Sequence, residues 1–138
     1  MAQRAILEID STEYEVFNFE YEIVQQIKEN GQPSARPAGV LIHFVIESRN
    51  DSNLSFHKWV RNKNKTEMKN GVFTFEIMID SKPTYKTISF NNAYCIRLFE
   101  HFERGSNMQM LTYITISAAE ISFGNNKDKV VFNNDGKS

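Results

Sequence analysis

Apolar side chains recur at every second position through most of this chain, and the places where the alternation begins, slips or stops divide it into strands. Residues 3–9 put Ala5, Leu7 and Ile9 on one face, and Asp10-Ser11 then offers a tight turn. In residues 13–24 the phase changes. Tyr14 and Val16 alternate with Glu13 and Glu15, but from Phe17 onward the apolar set is Phe17, Phe19, Tyr21 and Ile23. Side chains on a strand repeat with a period of two, so such a slip needs one extra residue. The pattern predicts a β-bulge at Val16 or Phe17, with a bend that lets the sheet curl. Residues 40–48 are nearly continuous in apolar side chains, with only His43 interrupting, as in a central strand covered on both faces.

The period then changes. Arg49-Asn50-Asp51-Ser52 supplies several N-cap residues for a short helix over residues 53–61, where Phe56, Trp59 and Val60 share a face and Leu54 lies beside it. His57, Lys58 and Arg61 point toward water on that reading. Residues 62–70, dense in Lys and Asn, form a solvated loop. Gly71 opens a strand over 72–79 with Phe73, Phe75, Ile77 and Ile79 on its buried face, and Asp80-Ser81-Lys82-Pro83 turns it into an antiparallel neighbour over 84–90. Asn91-Asn92 marks a break. In the strand over 93–102, Tyr94, Ile96 and Leu98 alternate with Ala93, Cys95 and Arg97. Phe56, Trp59 and Tyr94 are the expected core anchors. Arg104-Gly105-Ser106-Asn107 leads to a long last strand over 108–123, whose small Ser117-Ala118-Ala119 centre suits close backbone approach or a bend.

Six to eight antiparallel strands and one helix make a mainly β fold: a curled antiparallel β-barrel of two packed sheets with one short flanking α-helix. It occupies residues 1–124, and residues 125–138 read as a polar tail with a short apolar patch at 130–132. Between the second and third strands lies the polar run QQIKENGQPSARPAG, residues 25–39, with Gly31 and Gly39 and two of the three prolines, Pro33 and Pro37. Its lack of alternation reads as a long loop. Loops of this length inside compact domains tend to be functional or disordered, and the prolines lower the entropy lost on ordering this one.

Composition changes this picture little. The 138 residues are 41% hydrophobic and 24% charged, with eleven Phe and five Tyr that favour a sheet core over a bundle. A net charge of −1 gives no overall field for nucleic acid or an anionic membrane, so partners must be held by local contacts. No apolar run is long enough for a membrane helix and the first residues lack a signal-peptide core, which predicts cytoplasmic synthesis without classical export. Cys95, alone in an apolar pattern, reads as a small buried hydrophobe.

Candidate chemistry is sparse. Glu13 with Glu15 and Glu20 with Glu22 are carboxylate pairs on one strand face, but no His, Arg or glycine-rich turn stands beside them in sequence to tune an acid and a base. His43, His57 and His101 have no ligand spacing to one another or to Cys95, and the glycines are scattered singly at turns. Hence no catalytic, metal or cofactor residue is assigned. The Lys/Asn-rich stretch 58–69 beside Trp59 is better read as a helix end and solvated loop than as a single-strand nucleic-acid binder.

Five segments, in order and with compatible spacing over residues 3–124, resemble the Hcp (TssD) family, the tube-forming subunit of type VI secretion, in the short form found in Bacteroidota. They are Tyr14-Glu15-Val16, Gly31-Gln32-Pro33-Ser34, Phe56-His57-Lys58-Trp59, Phe90-Asn91-Asn92-Ala93-Tyr94 and the run Ile116-Ser117-Ala118-Ala119-Glu120-Ile121-Ser122-Phe123-Gly124. The resemblance implies a non-enzymatic protein whose hexameric rings stack head-to-tail into a hollow tube. Sheath, spike and baseplate proteins and secreted effectors would be its partners, and export by the contracting sheath its route out of the cell. It also implies that Gly31, Gln32, Pro33, Ser34, Arg36 and Pro37 serve ring packing or stacking. The alternative from the residues themselves is a monomeric β-barrel that binds a small apolar ligand inside.

Overall fold

Two Asp-Ser pairs set the first turns of the fold. Asp10 and Ser11, and again Asp80 and Ser81, all have positive φ, the backbone of two-residue hairpin turns whose twist matches that of the strands they join. The computed structural model describes residues 4–27, 29–48, 55–62, 67–105, 110–124 and 128–131, without the side chains of 24–27, 33–38 and 128–131. Its elements are β1 (Arg4–Ile9), β2 (Thr12–Ile27), β3 (Pro33–Glu47), α1 (Ser55–Val60), β4 (Lys69–Ile79), β5 (Lys82–His101), β6 (Leu111–Phe123) and β7 (Asp128–Val131). Every pairing is antiparallel, in the order β3-β2-β1-β4-β5-β6-β7, and a further β3–β6 ladder closes a ring of six strands. The fold is the mainly β, curled barrel with one short helix that the alternation predicts.

The slip in β2 is a bulge. Val16 lies opposite Ile46 but Asn18 lies opposite Val45, leaving Phe17 as the extra residue. Inward side chains from all the ring strands form one contiguous core, in which Leu7, Val40, Ile42, Phe73, Ile116 and Ile121 have no exposure. Helix α1 seals it with Phe56, 5.1 Å from the Tyr14 ring and 6.1 Å from Phe44. Trp59, 2% exposed, donates its Nε1 proton to the Glu67 carbonyl at 3.1 Å. Lys69 caps Trp59 at 5.7 Å from the ring centroid while pairing with Asp10 and Glu67. Burial works against the Lys69 charge, but those two carboxylates outweigh it and hold its pKa above the ordinary value. Cys95 is buried, and burial pushes its thiol up to about 11.

Expectations are corrected at the Asn91-Asn92 break, at Tyr94, over residues 25–39 and in the tail. The Asn91-Asn92 break lies inside one continuous strand, β5. Asn92, at φ 55, occupies a bulge where Lys69 faces Ala93 and Gly71 faces Phe90, and Ile96 is the extra residue of a second irregularity between Cys95 and Arg97. The two bulges leave Ala93 and Cys95 pointing inward. Tyr94, expected in the core, is only half-buried on the opposite face, and Ile96 is 50% exposed.

The polar run 25–39 is mostly strand. Gln25 pairs with Pro37 and Ile27 with Pro33, through register shifts that give two prolines without N–H donors places in a ladder. Among the described residues the β3–β6 ladder starts at Val40, so this part of the hairpin runs on as two strands beyond the third. The tail, finally, contributes β7, which pairs with β6 from Glu120 to Phe123. The candidate helix caps at 49–52 and Leu54 lie outside the described residues.

Candidate functional site

Where β1 and β4 stop pairing, the later halves of β2 and β5 run on. The β1–β2 ladder ends at Glu15 and the β4–β5 ladder at Ala93. Beyond those points β2, β3, β6 and β5 form a four-stranded wall. Among the described residues no strand pairs with the outer edge of β2 after Val16 or of β5 after Ala93. Among the described residues the wall therefore has two bare hydrogen-bonding edges, one at each side.

Its outer face is set by register. Glu20 lies opposite His43, His43 opposite Thr115, and Thr115 opposite Arg97, so these four side chains form one row from the β2 edge to the β5 edge. His43 Nδ1 is 2.9 Å from Thr115 Oγ1, and His43 Nε2 is 3.8 Å from the Glu22 carboxylate. The Arg97 guanidinium rests on Phe99 at 4.9 Å, and Phe99 stacks on Tyr113 at 4.6 Å and 5°. A shallow groove of about 270 Å³ runs along the row. A second, of about 320 Å³, sits between β2 and β4 around Phe17, Phe75 and Ile77. The first lies along the outer row, and the second is lined in part by Ala5, Phe19 and Phe75, which pack against the core.

The β2–β3 hairpin continues past the wall as a two-stranded arm over residues 24–39. Gly31, exposed and at φ 86, forms its tip, where the Gln32 backbone N–H donates to Asn30 Oδ1 at 3.0 Å and the Asn30 amide donates to Gln32 Oε1 at 3.3 Å. Pro33, Ser34, Arg36 and Pro37 lie on the β3 side of the arm. The arm thus gathers Gly31, Gln32, Pro33, Ser34, Arg36 and Pro37 in one projecting element. Phe56 and Trp59 sit at the other end of the barrel and belong to the core.

Of the carboxylate pairs, Glu13 and Glu15 are exposed on β2 before the bulge, and Glu20 and Glu22 face outward after it. Glu20 of the second pair, which reads in sequence as the solvent face of a strand, stands in a row with Arg97. Its signal was the Glu-Tyr-Glu alternation, which marks a polar face without showing what lies across from it. A separate cluster ties α1 to the barrel: Ser48 and Thr112 donate to Glu100 Oε2 at 2.8 and 3.1 Å, and His57 Nε2 lies 3.6 Å from Oε1. The Ser48 hydrogen bond, joined by Thr112 and His57, holds the Glu100 carboxyl below its ordinary pKa of 4.5 against an opposing burial effect. Among the described residues no three His, Cys, Asp or Glu side chains converge as metal ligands, and no helix is long and apolar enough to cross a membrane.

The profile of the family described as "Hemolysin coregulated protein Hcp (TssD)" matches residues 1–133. No curated protein matches the chain in sequence. Among solved structures, Hcp1 from Flavobacterium johnsoniae superposes with a TM-score of 0.69 at 24% identity, over 93% of this chain and 98% of that one. The secreted protein Hcp3 from Pseudomonas aeruginosa gives 0.62 at 10% identity, over 96% and 99%. A chain of the sheath–tube complex of an extracellular contractile injection system gives 0.56 at 15% identity, over 87% of each chain.

Proposed function

The chain belongs to the hemolysin coregulated protein Hcp (TssD) family of type VI secretion tube proteins, and on that premise we propose that it closes into six-membered rings that stack head-to-tail into a hollow tube. The observation that supports this most is the wall β2-β3-β6-β5 with a bare edge at each side. Two copies joined β2 to β5 still leave one bare edge of each kind, the heterologous contact that closes into a ring when the rotation fits. Six such walls make a barrel of about 24 strands. At about 4.8 Å between strands and a tilt of about 40°, its backbone circle is about 50 Å across, wide enough to hold a small folded domain as cargo.

In this reading the arm carrying Gly31, Gln32, Pro33, Ser34, Arg36 and Pro37 reaches the neighbouring subunit or the next ring. Sheath, spike and baseplate proteins are the partners of the tube, effectors travel with it, and contraction of the sheath delivers it outside. The likeness to a chain of a sheath–tube complex and to a secreted Hcp supports that placement. The test is native mass. The 16.0 kDa chain should give particles of about six times that mass, about 96 kDa, and annular outlines in electron micrographs. A protein that stays monomeric over a broad concentration range refutes the proposal.

A further inference from the structure

Arg97 and Glu20 stand at opposite ends of one row across the wall, with Arg97 toward the bare β5 edge and Glu20 toward the bare β2 edge. Both are exposed, and among the described residues neither has an ion-pair partner. Three interstrand steps of about 4.8 Å separate their backbones by about 14 Å, so they do not pair within one chain. Glu22, two residues further along the same face, has among the described residues only His43, at 3.8 Å. An acidic edge and a basic edge on the same outer face are complementary to each other across a joint between copies.

We infer that Arg97 of one subunit pairs with Glu20 or Glu22 of the next, where a β5 edge meets a β2 edge. The inference rests on the ring reading above and names the charge contact at its joints. Closing a barrel staggers adjacent strands, and a stagger of two residues keeps side chains on the same face. The joint thus selects between Glu20 and Glu22 by its shear, and either choice carries the charged row from subunit to subunit around the ring.

The experiment is a charge swap followed by native mass over a series of chain concentrations. Arg97→Glu, and separately Glu20→Arg with Glu22→Arg, should raise the concentration for half-assembly by about tenfold or more, and high salt should weaken wild-type assembly in the same direction. The combined swap, with all three substitutions, should return it to within about threefold of wild type. Rings that form as in wild type in both single-edge variants, or a combined swap no better than Arg97→Glu alone, overturn the pairing while leaving the six-chain particle of the wild type intact. A wild type that never assembles overturns both. Because a charge reversal can also harm folding, a second measurement is independent of it. Glu20→Cys with Arg97→Cys, and Glu22→Cys with Arg97→Cys, are oxidised with copper phenanthroline. A ladder of intermolecular disulfides in at least one pair supports the joint, and only monomer in both overturns it.

Discussion

Replacing Gly71 by Ala should destabilise the barrel through one identifiable clash. Gly71 sits in β4 opposite Ile9 of β1 on one side and Phe90 of β5 on the other, so its backbone is held from both edges. A Cβ there would lie 2.6 and 2.8 Å from two ring carbons of Phe90 and 3.1 Å from the Glu8 carbonyl oxygen. Carbon atoms rest comfortably at about 3.5–4.0 Å, so the ring must retreat by about 1 Å. It has little room to do so: Phe90 is 1% exposed, with the Phe73 ring at 5.8 Å. Overpacking of this kind costs about 1–3 kcal/mol. The smaller unfolded-state entropy of Ala offsets about 0.4–1 kcal/mol, leaving a net loss of about 1–2 kcal/mol. Urea denaturation at one fixed chain concentration measures it, since assembly would otherwise shift apparent stability. Phe90→Leu removes the ring, so in that background Gly71→Ala should cost about 1 kcal/mol less. A neutral or stabilising Gly71→Ala, or an equal penalty in both backgrounds, refutes the reasoning.

Trp59→Ala should cost about 3–5 kcal/mol, because it empties a site that is 2% exposed and leaves the Glu67 carbonyl without its donor; a loss below about 1 kcal/mol by circular dichroism would mean that α1 contributes little to the core. The Glu100 carboxyl titrates below its ordinary value, so the stability it adds is full above pH 4.5 and is lost as pH falls through the lowered folded value. Glu100→Gln should therefore flatten the fall of Tm between about pH 5 and pH 3, and parallel profiles for variant and wild type would count against that linkage. Replacing residues 26–36 by Asn-Gly joins the paired Gln25 and Pro37 through a two-residue turn. The shortened chain should keep its stability to within about 1 kcal/mol, while tubes in electron micrographs become short or absent. Tubes of wild-type length would remove the arm from stacking.

Much of the fold could be read from alternation because a half-buried strand must alternate. The bulge at Phe17 was visible as a phase slip, and the Asp-Ser turns as breaks between apolar runs. What failed was pairing without alternation. Residues 25–39 lie in a hairpin arm that pairs through register shifts before the β3–β6 ladder begins, so no period of two betrays it, and its prolines read as a loop. Tyr94 was assigned to the wrong face because β5 carries apolar residues on both sides. Small Ala93 and Cys95 face the crowded centre opposite Ala118 and Ile116, and large Tyr94 and Ile96 face outward. In a strand with two bulges, size is a poor guide to direction. The candidate surface was hidden for a different reason. That Glu20 and Arg97 share a row depends on three successive strand registers joining residues 77 positions apart in sequence, and no local pattern encodes a register.

In the proposed ring, the separation of charge between the two edges would also decide which encounters fail. Two copies meeting β2 to β2 would bring Glu20 and Glu22 of each against those of the other, and two meeting β5 to β5 would oppose their Arg97 side chains. Like charges face each other in both two-fold arrangements, and unlike charges meet only when the edges differ. A two-fold dimer consumes two edges of one kind and leaves a particle whose ends cannot join each other. Such dimers are dead ends for the proposed ring, and the edge charges would disfavour them at first contact, while chains are still a free pool. On that proposal the same few side chains bear on the fidelity of assembly as well as on its strength.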